Sequence, residues 1–315
     1  MASIGDTLLA SPVYRAIKKH YPKVKLVAVV SYAGEELFRG NPYIDELIPY
    51  RKGDSILKVI KAIWRSDAAL IMDYHYRNAL YAFIAMIPQR IGRGKDFINI
   101  RIKDELRMEY EPLNYLRLAK EIGADSDDTR LTPIVTTDEE KRHVDELLAS
   151  HGLVRKKFVT IVPYSLMSIK DWEPAKYREI IKRLKEHGYE AVILGGENER
   201  ERIAKEFPRE VSFAGITNLR ESAEIISRAK AQLSGCTAML HVCATTDTPV
   251  VALYGPSAPQ RWAPRSKCYV VSHNLSCAPC LPCYNTEFVC SDNNRCISEI
   301  EVDEVYVKLL EALGL

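Results

Sequence analysis

The chain has 315 residues, 47% of them hydrophobic and 27% charged, so it is long enough for two globular domains. Its 44 Lys and Arg nearly balance 42 Asp and Glu, for a formal charge of +2, which excludes a general attraction to nucleic acid. No apolar run reaches the roughly 20 residues that span a bilayer. The N-terminus lacks the basic start and apolar core of a signal peptide, so we expect a soluble, cytoplasmic protein.

Short apolar runs alternate with longer amphipathic segments along the chain. Apolar runs bounded by charge, Gly or Pro are typical of parallel strands covered on both faces. They predict strands at residues 26–30, 68–72, 158–162, 191–194 and 249–254. Helical periodicity predicts helices at residues 8–20, 55–66, 112–123, 137–150, 174–187, 197–206, 219–229 and 302–313. The alternation predicts an α/β fold with parallel sheets.

The alternation pauses between residues 124 and 156, where an acidic loop, a helix and a basic turn intervene. We therefore predict two Rossmann-like domains, residues 1–152 and 153–315. In a doubly wound sheet the first strand is central, yet no strand pattern precedes Ile4-Gly5-Asp6-Thr7. Either the first strand is missing from the start of the chain, which we favour, or the first sheet is built differently.

Two charged residues follow element boundaries where ligands bind in such folds. Asp6 comes directly after Gly5, where a carboxylate can face a cleft; alternatively, it caps the following helix. Lys170 follows the strand that ends at Val162, and with Ser165 and Ser168 it forms a candidate phosphate-binding cluster before a helix that begins at Pro174. A solvated loop lysine is the alternative for Lys170.

Two further turns have the composition of nucleotide-binding loops. Gly195 and Gly196 follow a strand directly, and Glu199 could bind ribose hydroxyls, although an ordinary tight turn has the same pattern. Small residues also follow Ser234, at the start of a helical stretch whose backbone N–H groups could face an anion. The candidate residues there are Cys236, Thr237, Ala238 and His241, and a packed histidine is the alternative for the last of these.

Five of the eight cysteines lie in one short polar segment, and none precedes Cys236. A secreted disulfide framework would use cysteines throughout a small chain. Cysteines two residues apart can reach one tetrahedral ion, so four of the five would suffice for a structural Zn or Fe site; free or paired thiols are the alternative. The five cysteines are Cys277, Cys280, Cys283, Cys290 and Cys296.

Taken in order, these segments resemble glycosyltransferase family 9, the ADP-heptose:lipopolysaccharide heptosyltransferases. The segment Gly5-Asp6-Thr7-Leu8-Leu9 resembles the opening motif of the family, and Lys170-Asp-Trp-Glu-Pro resembles its "KxWPP". Leu194-Gly-Gly-x-x-Glu199 resembles "LGGxxE". His241 followed by Thr248-Pro-Val-Val-Ala-Leu-Tyr-Gly-Pro is the most specific match. Together the matches extend over nearly the whole chain.

The resemblance implies a GT-B fold, with parallel sheets facing a central cleft, an acceptor site on the N-terminal domain and a nucleotide-sugar site on the C-terminal domain. It implies inverting transfer of a heptose-like sugar from an ADP-sugar to a lipopolysaccharide core or related glycan, without a cofactor. By the matching motifs, Asp6 is the general base, Lys170 stabilises the diphosphate leaving group and Glu199 binds ribose. The turn from Thr237 to His241 contacts the diphosphate and sugar. A lipid-linked acceptor further implies peripheral contact with the cytoplasmic membrane face.

One departure concerns the donor sugar: where the family has an acid that touches the sugar, this chain has Cys236. Two other functions stay open at this point. A two-Rossmann nucleotide-sugar epimerase would need no acceptor, and a non-catalytic relative would only bind a nucleotide sugar or a partner. The replaced acid and the absent first strand favour the second of these, whereas the retained Asp6 and Lys170 oppose it.

Overall fold

A computed structural model describes residues 3–102, 108–273, 275–280, 290 and 292–315. The chain divides into two compact units, the first ending at Val135 and the second beginning at Thr136. Each unit has its own parallel sheets, as the alternating sequence pattern predicts.

The first unit contains two small parallel sheets. One pairs β1 (Val27–Val30) with β2 (Glu46–Pro49), and the other has the order β3 (Ala68–Ile71), β4 (Gln89–Gly92) and β5 (Ile100–Arg101). The described helices are α1 (Ile4–Leu9), α2 (Ser11–His20), α3 (Tyr32–Phe38), α4 (Ile56–Ala62), α5 (Tyr76–Ile84) and α6 (Glu111–Lys120).

The helix predicted at residues 8–20 is two helices in the structure, α1 and α2, and the prediction was wrong there. Ser3 is the N-cap of α1, and its side chain accepts a hydrogen bond from the Asp6 backbone. The break falls at Ala10 because Pro12 has no N–H group and fits only the first turn of a helix.

The second unit contains one six-stranded parallel sheet, in the order β11-β10-β9-β6-β7-β8. Its strands are β6 (Phe158–Val162), β7 (Glu190–Ile193), β8 (Val211–Ser212), β9 (Ala231–Gly235), β10 (Val250–Tyr254) and β11 (Cys268–Ser272). Its described helices are α7 (Asp138–Ser150), α8 (Pro174–Glu186), α9 (Arg200–Glu206), α10 (Leu219–Arg228), α11 (Ala238–Cys243), α12 (Pro259–Trp262), α13 (Arg295–Ser298) and α14 (Val302–Leu313).

The strand order of this sheet reverses between β6 and β9. From β6 the chain adds β7 and β8 on one side, whereas β9, β10 and β11 follow on the other. Ligands of open α/β sheets bind in the crevice at such a switch point, beyond the carboxyl ends of the strands. The loops after β6 and β9 are therefore the first place to look for a site.

Helix α7 belongs to the second unit, so the division between units lies ahead of the boundary expected at residue 152. Polar pairs hold α7 against α10. The Arg220 guanidinium is 2.9 Å from Glu140, and the Glu221 carboxylate is 2.6 Å from His143. These ion-pair partners lie about 80 residues apart in the chain. The sequence pattern therefore could not show that α7 packs with the second unit.

Candidate functional site

The loop after β6 is fixed by a buried carboxylate. Asp171 Oδ1 accepts hydrogen bonds from the Ser165 backbone N–H (2.9 Å) and from Ser165 Oγ (3.0 Å). Burial raises the pKa of Asp171, while these hydrogen bonds and the Arg202 cation oppose that rise. Lys170 ends a short 3-10 turn that begins at the exposed Ser168. The loop thus presents a half-buried lysine from a fixed backbone.

Arg202 connects this loop to the turn after β7. Its guanidinium lies 3.1 Å from Asp171 Oδ2 and 3.6 Å from the centre of the Tyr164 ring. Arg202 belongs to α9, which begins immediately after Glu199. Through this ion pair and cation–π contact, the two candidate donor-binding loops are held together.

The turn after β9 packs directly against the Lys170 backbone. A Cβ atom at Gly235 would lie 3.4 Å from the Lys170 carbonyl oxygen, so the two chain segments are in van der Waals contact. Ser234 Oγ and the Thr237 N–H both donate to the Gly235 carbonyl, each at 2.9 Å. The Thr237 side chain does not cap α11, which begins at Ala238.

His241 is buried next to the Lys170 charge. Burial, followed by the Lys170 charge, lowers the pKa of His241 to about 4, so the imidazole is neutral at physiological pH. Only 5% of the residue is exposed, and its Nδ1 has no hydrogen-bond partner among the described residues. Buried polar atoms are normally paired, so an orphaned nitrogen beside a lysine indicates a place where a polar ligand binds.

Cys236 lies in the same crevice. Burial raises the pKa of the Cys236 thiol, while the Lys170 charge and hydrogen bonds with Ser257 and Tyr254 oppose the rise. The thiol is therefore protonated at neutral pH, and this position carries no charge. A carboxylate at the same position would be negative.

The paired glycines after β7 are not equivalent. A Cβ at Gly195 would lie 2.7 Å from Ile203 Cδ1 and 2.8 Å from Glu199 Oε2, whereas one at Gly196 would meet nothing closer than 3.9 Å. Glu199 Oε2 also accepts the Gly196 N–H at 2.8 Å. One carboxylate oxygen of Glu199 therefore holds the turn.

In the first unit, Asp6 is inside α1 and is not its N-cap; only 5% of the residue is exposed. Ser3 Oγ donates a 2.7 Å hydrogen bond to Asp6 Oδ2. The Asp6 charge, after burial, contributes to raising the pKa of Tyr115. The Arg93 guanidinium lies 4.9 Å from the Tyr115 ring and 2.8 Å from Glu111. Asp6 thus shares a buried polar cluster with a phenol and an arginine.

The structure brings Ser165, Lys170, Cys236 and His241 together at the switch point, and Arg202 joins Gly195, Gly196 and Glu199 to them. Four other residues of the site had no predicted role: Tyr164, Asp171, Arg202 and Ser257. The position of Asp171 inside the Lys170 motif was an available signal. Nothing in the sequence pairs Arg202 with it.

The cysteine segment is only partly described, and Cys283 lies outside the described residues. Among the described residues, no group of three or more His, Cys, Asp or Glu side chains is placed to hold a metal ion. Cys277, Cys280, Cys290 and Cys296 are free thiols. Cys290 Sγ accepts the backbone N–H groups of Asp292 and Asn294, each at 3.4 Å.

The four described cysteines of this segment lie near one another and near the donor crevice. Burial, with the neighbouring Cys280, Cys277 and Cys290, raises the pKa of Cys296 to about 11. The Cys280 N–H donates to the Pro256 carbonyl at 3.0 Å. Pro256 precedes Ser257, the partner of Cys236, so the cysteine segment packs on the loop that supports this thiol.

The chain is similar to known proteins over most of its length. The sequence profile of glycosyltransferase family 9 (heptosyltransferase) matches residues 56–288. Lipopolysaccharide heptosyltransferase 2 of Salmonella typhimurium is 26% identical over 293 residues, covering 84% of this chain and 83% of that protein. None of the helices in the described part of the chain has the length and apolar character needed to cross a membrane.

Solved structures confirm the fold. A glycosyltransferase of family 9 from Veillonella parvula superposes with a TM-score of 0.86 at 19% identity, over 100% of this chain and 95% of that one. The iron-containing heptosyltransferase TibC, in complex with ADP-D-beta-D-heptose, gives a TM-score of 0.63 at 15% identity, over 99% and 73%. The fold is of the GT-B class, as predicted.

The chain belongs to glycosyltransferase family 9, the heptosyltransferase family. It is a glycosyltransferase, which confirms the resemblance seen in its motifs.

Proposed function

We propose that the protein transfers a heptose-like sugar from an ADP-sugar to a hydroxyl of a lipopolysaccharide core or related glycan, with inversion by direct displacement. The observation that carries this proposal is the crevice where Lys170 lies beside the neutral, orphaned His241. Its relatives include a lipopolysaccharide heptosyltransferase and a structure with a bound ADP-heptose. The second unit holds the donor and the first unit holds the acceptor.

Lys170 stabilises the diphosphate leaving group. Negative charge builds on the departing phosphate in the transition state, and a fixed cation in a partly buried crevice stabilises it more than water does. The loop carrying Lys170 is already fixed by Asp171. The neutral His241 donates a hydrogen bond from Nδ1 to the diphosphate or sugar, and Ser165, Ser168, Thr237 and Ala238 complete the donor contacts.

Glu199 binds the ribose hydroxyls of the donor. One of its oxygens accepts the Gly196 N–H, but a carboxylate offers about four lone-pair sites, so the other oxygen is available to a ligand. Gly195 and Gly196 let the backbone approach the nucleoside closely.

Asp6 acts as the general base for the acceptor hydroxyl. It is buried in a polar cluster with Ser3 and Tyr115, where water competes weakly for the carboxylate. A positioned carboxylate typically contributes 10²- to 10⁴-fold to the rate of such a proton transfer.

Cys236 tunes the choice of donor sugar. A protonated thiol makes weaker hydrogen bonds to sugar hydroxyls than a carboxylate, whose hydrogen bonds are charge-assisted. We expect Cys236→Asp to change the ratio of kcat/KM between ADP-heptose and other ADP-sugars, with Cys236→Ser as the neutral control.

A structural Zn or Fe ion would be held by four of the five cysteines of the segment, although no three of the described ones already stand in a metal-binding arrangement. The two N–H groups that donate to Cys290 Sγ would stabilise its thiolate. The known iron content of a relative supports this. Elemental analysis of purified protein should find about one ion per chain, and its loss in Cys290→Ser would confirm the ligand. Metal-free protein with normal folding would contradict the proposal.

The acceptor places the enzyme at the cytoplasmic face of a membrane, as a peripheral protein. The basic and aromatic residues that we propose contact this membrane lie between β2 and β3. They are Arg51, Lys52, Lys58, Lys61, Trp64 and Arg65.

The experiment that tests the donor assignment is a thermal-shift series with ADP, UDP, GDP and an ADP-heptose. A ligand that binds only the native state adds about 2.7 kcal/mol at a hundredfold excess over Kd. We expect a shift with ADP and a larger one with ADP-heptose. A preference for UDP or GDP would contradict the ADP-sugar, and no shift in folded protein would contradict donor binding. Transfer then requires an acceptor screen with Asp6→Asn as the inactive control.

A further inference from the structure

Five large apolar side chains are exposed together at one end of the first unit. The exposed fraction is 50% for Trp64, 51% for Phe83, 43% for Ile84, 53% for Met86 and 38% for Phe97. We call these five residues the aromatic tip. Single exposed apolar residues are common, but a contiguous group marks an interaction surface.

The contacts among these residues show that they form one surface. Helices α4 and α5 pack through a small core that includes Ile60 and Ala82. The Arg65 N–H donates to the Ala85 carbonyl at 2.9 Å, which joins the residue after Trp64 to the residue before Met86. The rings of Phe83 and Phe97 have centroids 5.5 Å apart.

Short turns with a defined backbone form this end of the unit. Arg65, Met86 and Phe97 have φ angles of 54°, 55° and 60°, a left-handed region that residues other than Gly adopt uncommonly. Each lies where the chain enters or leaves a helix or strand, and each side chain is exposed.

The charge around the aromatic tip is positive. Residues 55–66 include Lys58, Lys61 and Arg65 and no acidic residue, and Arg90 lies near the amino end of β4. The Arg90 guanidinium stacks 5.4 Å from the Phe83 ring centre. Two acidic residues, Asp67 and Asp96, also lie beside the tip, and these four cations outnumber them.

The aromatic tip is separate from the Asp6 cluster. Trp64 and Met86 precede β3 and β4, so they lie at the amino ends of these strands. Arg93, which contacts Tyr115 and the Met72 carbonyl, follows β4 at its carboxyl end. The residues proposed for catalysis are therefore not part of the aromatic tip.

We infer that the aromatic tip inserts into the headgroup region of an anionic lipid bilayer. Trp, Phe and Met side chains partition into the boundary between headgroups and acyl chains, while Lys and Arg reach anionic headgroups. A second copy of this chain would place the same cations against each other, which opposes that occupant. The inference specifies the membrane contact of the proposed function, and its test requires no transfer activity.

The test uses the full chain with vesicles of phosphatidylcholine, alone or mixed with phosphatidylglycerol. We expect co-sedimentation with the mixed vesicles and a blue shift of Trp emission that Trp64→Phe abolishes. The other two tryptophans lie in the second unit, Trp172 only 1% exposed and Trp262 half-buried, so the part of the shift that Trp64→Phe removes belongs to Trp64. A Trp64→Ser, Met86→Ser double variant should bind about tenfold more weakly, because it removes two of the five inserted apolar side chains. A Lys61→Glu, Arg65→Glu variant should lose the preference for the anionic vesicles.

Val154→Ser and Val307→Ser, at positions 63% and 54% exposed in the second unit, are the matched controls and should bind like the unaltered protein. Circular dichroism and the ADP thermal shift should be unchanged in all variants, which separates this inference from the donor assignment. Absence of vesicle binding, or equal binding by the double variant, would overturn the inference. So would a change in oligomeric mass, with no change in vesicle binding, in the double variant.

Discussion

The two units of this enzyme bury their strands differently. In the second unit β6, β9 and β10 are buried along their whole length, whereas in the first unit β1 and β3 are mostly half-buried. A fully covered sheet holds the loops at its carboxyl edge in place, as the contact of Gly235 with Lys170 shows. The first unit instead exposes large apolar and basic side chains. This difference fits the proposal that the second unit binds the donor and the first unit the acceptor.

The largest expected effect comes from Asp6→Asn, which tests whether the first unit carries the general base while the second unit binds the donor. Because the amide cannot accept the acceptor proton, we expect kcat for transfer to fall about 10³-fold, with ADP affinity unchanged, since Asp6 lies in the first unit. Lys170→Met should reduce both kcat and ADP affinity. Steady-state kinetics and isothermal titration measure the two effects, and unchanged turnover in Asp6→Asn would refute the general-base role.

A comparison of core substitutions tests the difference in burial directly. Leu233, in β9, is fully buried, whereas Val29, in β1, is 42% exposed. Leu233→Ala should cost about 3 kcal/mol of unfolding free energy and Val29→Ala less than about 1 kcal/mol. Urea unfolding measures both. Equal costs would show that the two sheets are stabilised alike.

Acid should destabilise the second unit through His241. Its pKa falls from 6.5 to about 4 on folding, so between these values the unfolded chain binds the extra proton and stability decreases as pH falls. At about 1.4 kcal/mol per pKa unit, the loss approaches about 3 kcal/mol at pH 4. His241→Gln should remove this dependence. Unfolding curves from pH 7 to pH 4 would show it, and identical pH profiles for the two proteins would contradict the assignment.

A smaller loss of activity should follow from Arg202→Met, which removes the contacts of Arg202 with Asp171 and Tyr164 that join the two donor loops. Losing the ion pair with Asp171 leaves Lys170 less well positioned, so we expect kcat to fall about tenfold with a smaller change in KM. Arg178→Met is the matched control, because Arg178 pairs with Glu206 and is 49% exposed. If both variants behave alike, Arg202 does not position Lys170.

Much of the second unit could be predicted from sequence because its strands are continuous apolar runs, as in β6 and β10. Strand β9 was missed because Gln232 and Ser234 interrupt its apolar pattern; Gln232 is fully buried and satisfied by Met239 and Thr160. The two-residue strands β5 and β8 carry too few residues for any periodicity. Sequence motifs identified Lys170 and His241 as candidate site residues. Asp171 and Arg202 are 31 residues apart in the chain, and only the fold brings them together.

The turn after β7 shows how two adjacent identical residues can differ in mutational tolerance. A methyl group at Gly195 would collide with Ile203 and Glu199, whereas one at Gly196 would enter open space. In a saturation library selected for folded protein alone, position 195 should remain glycine while position 196 accepts small side chains. Packing within the turn therefore requires glycine at position 195 but not at position 196.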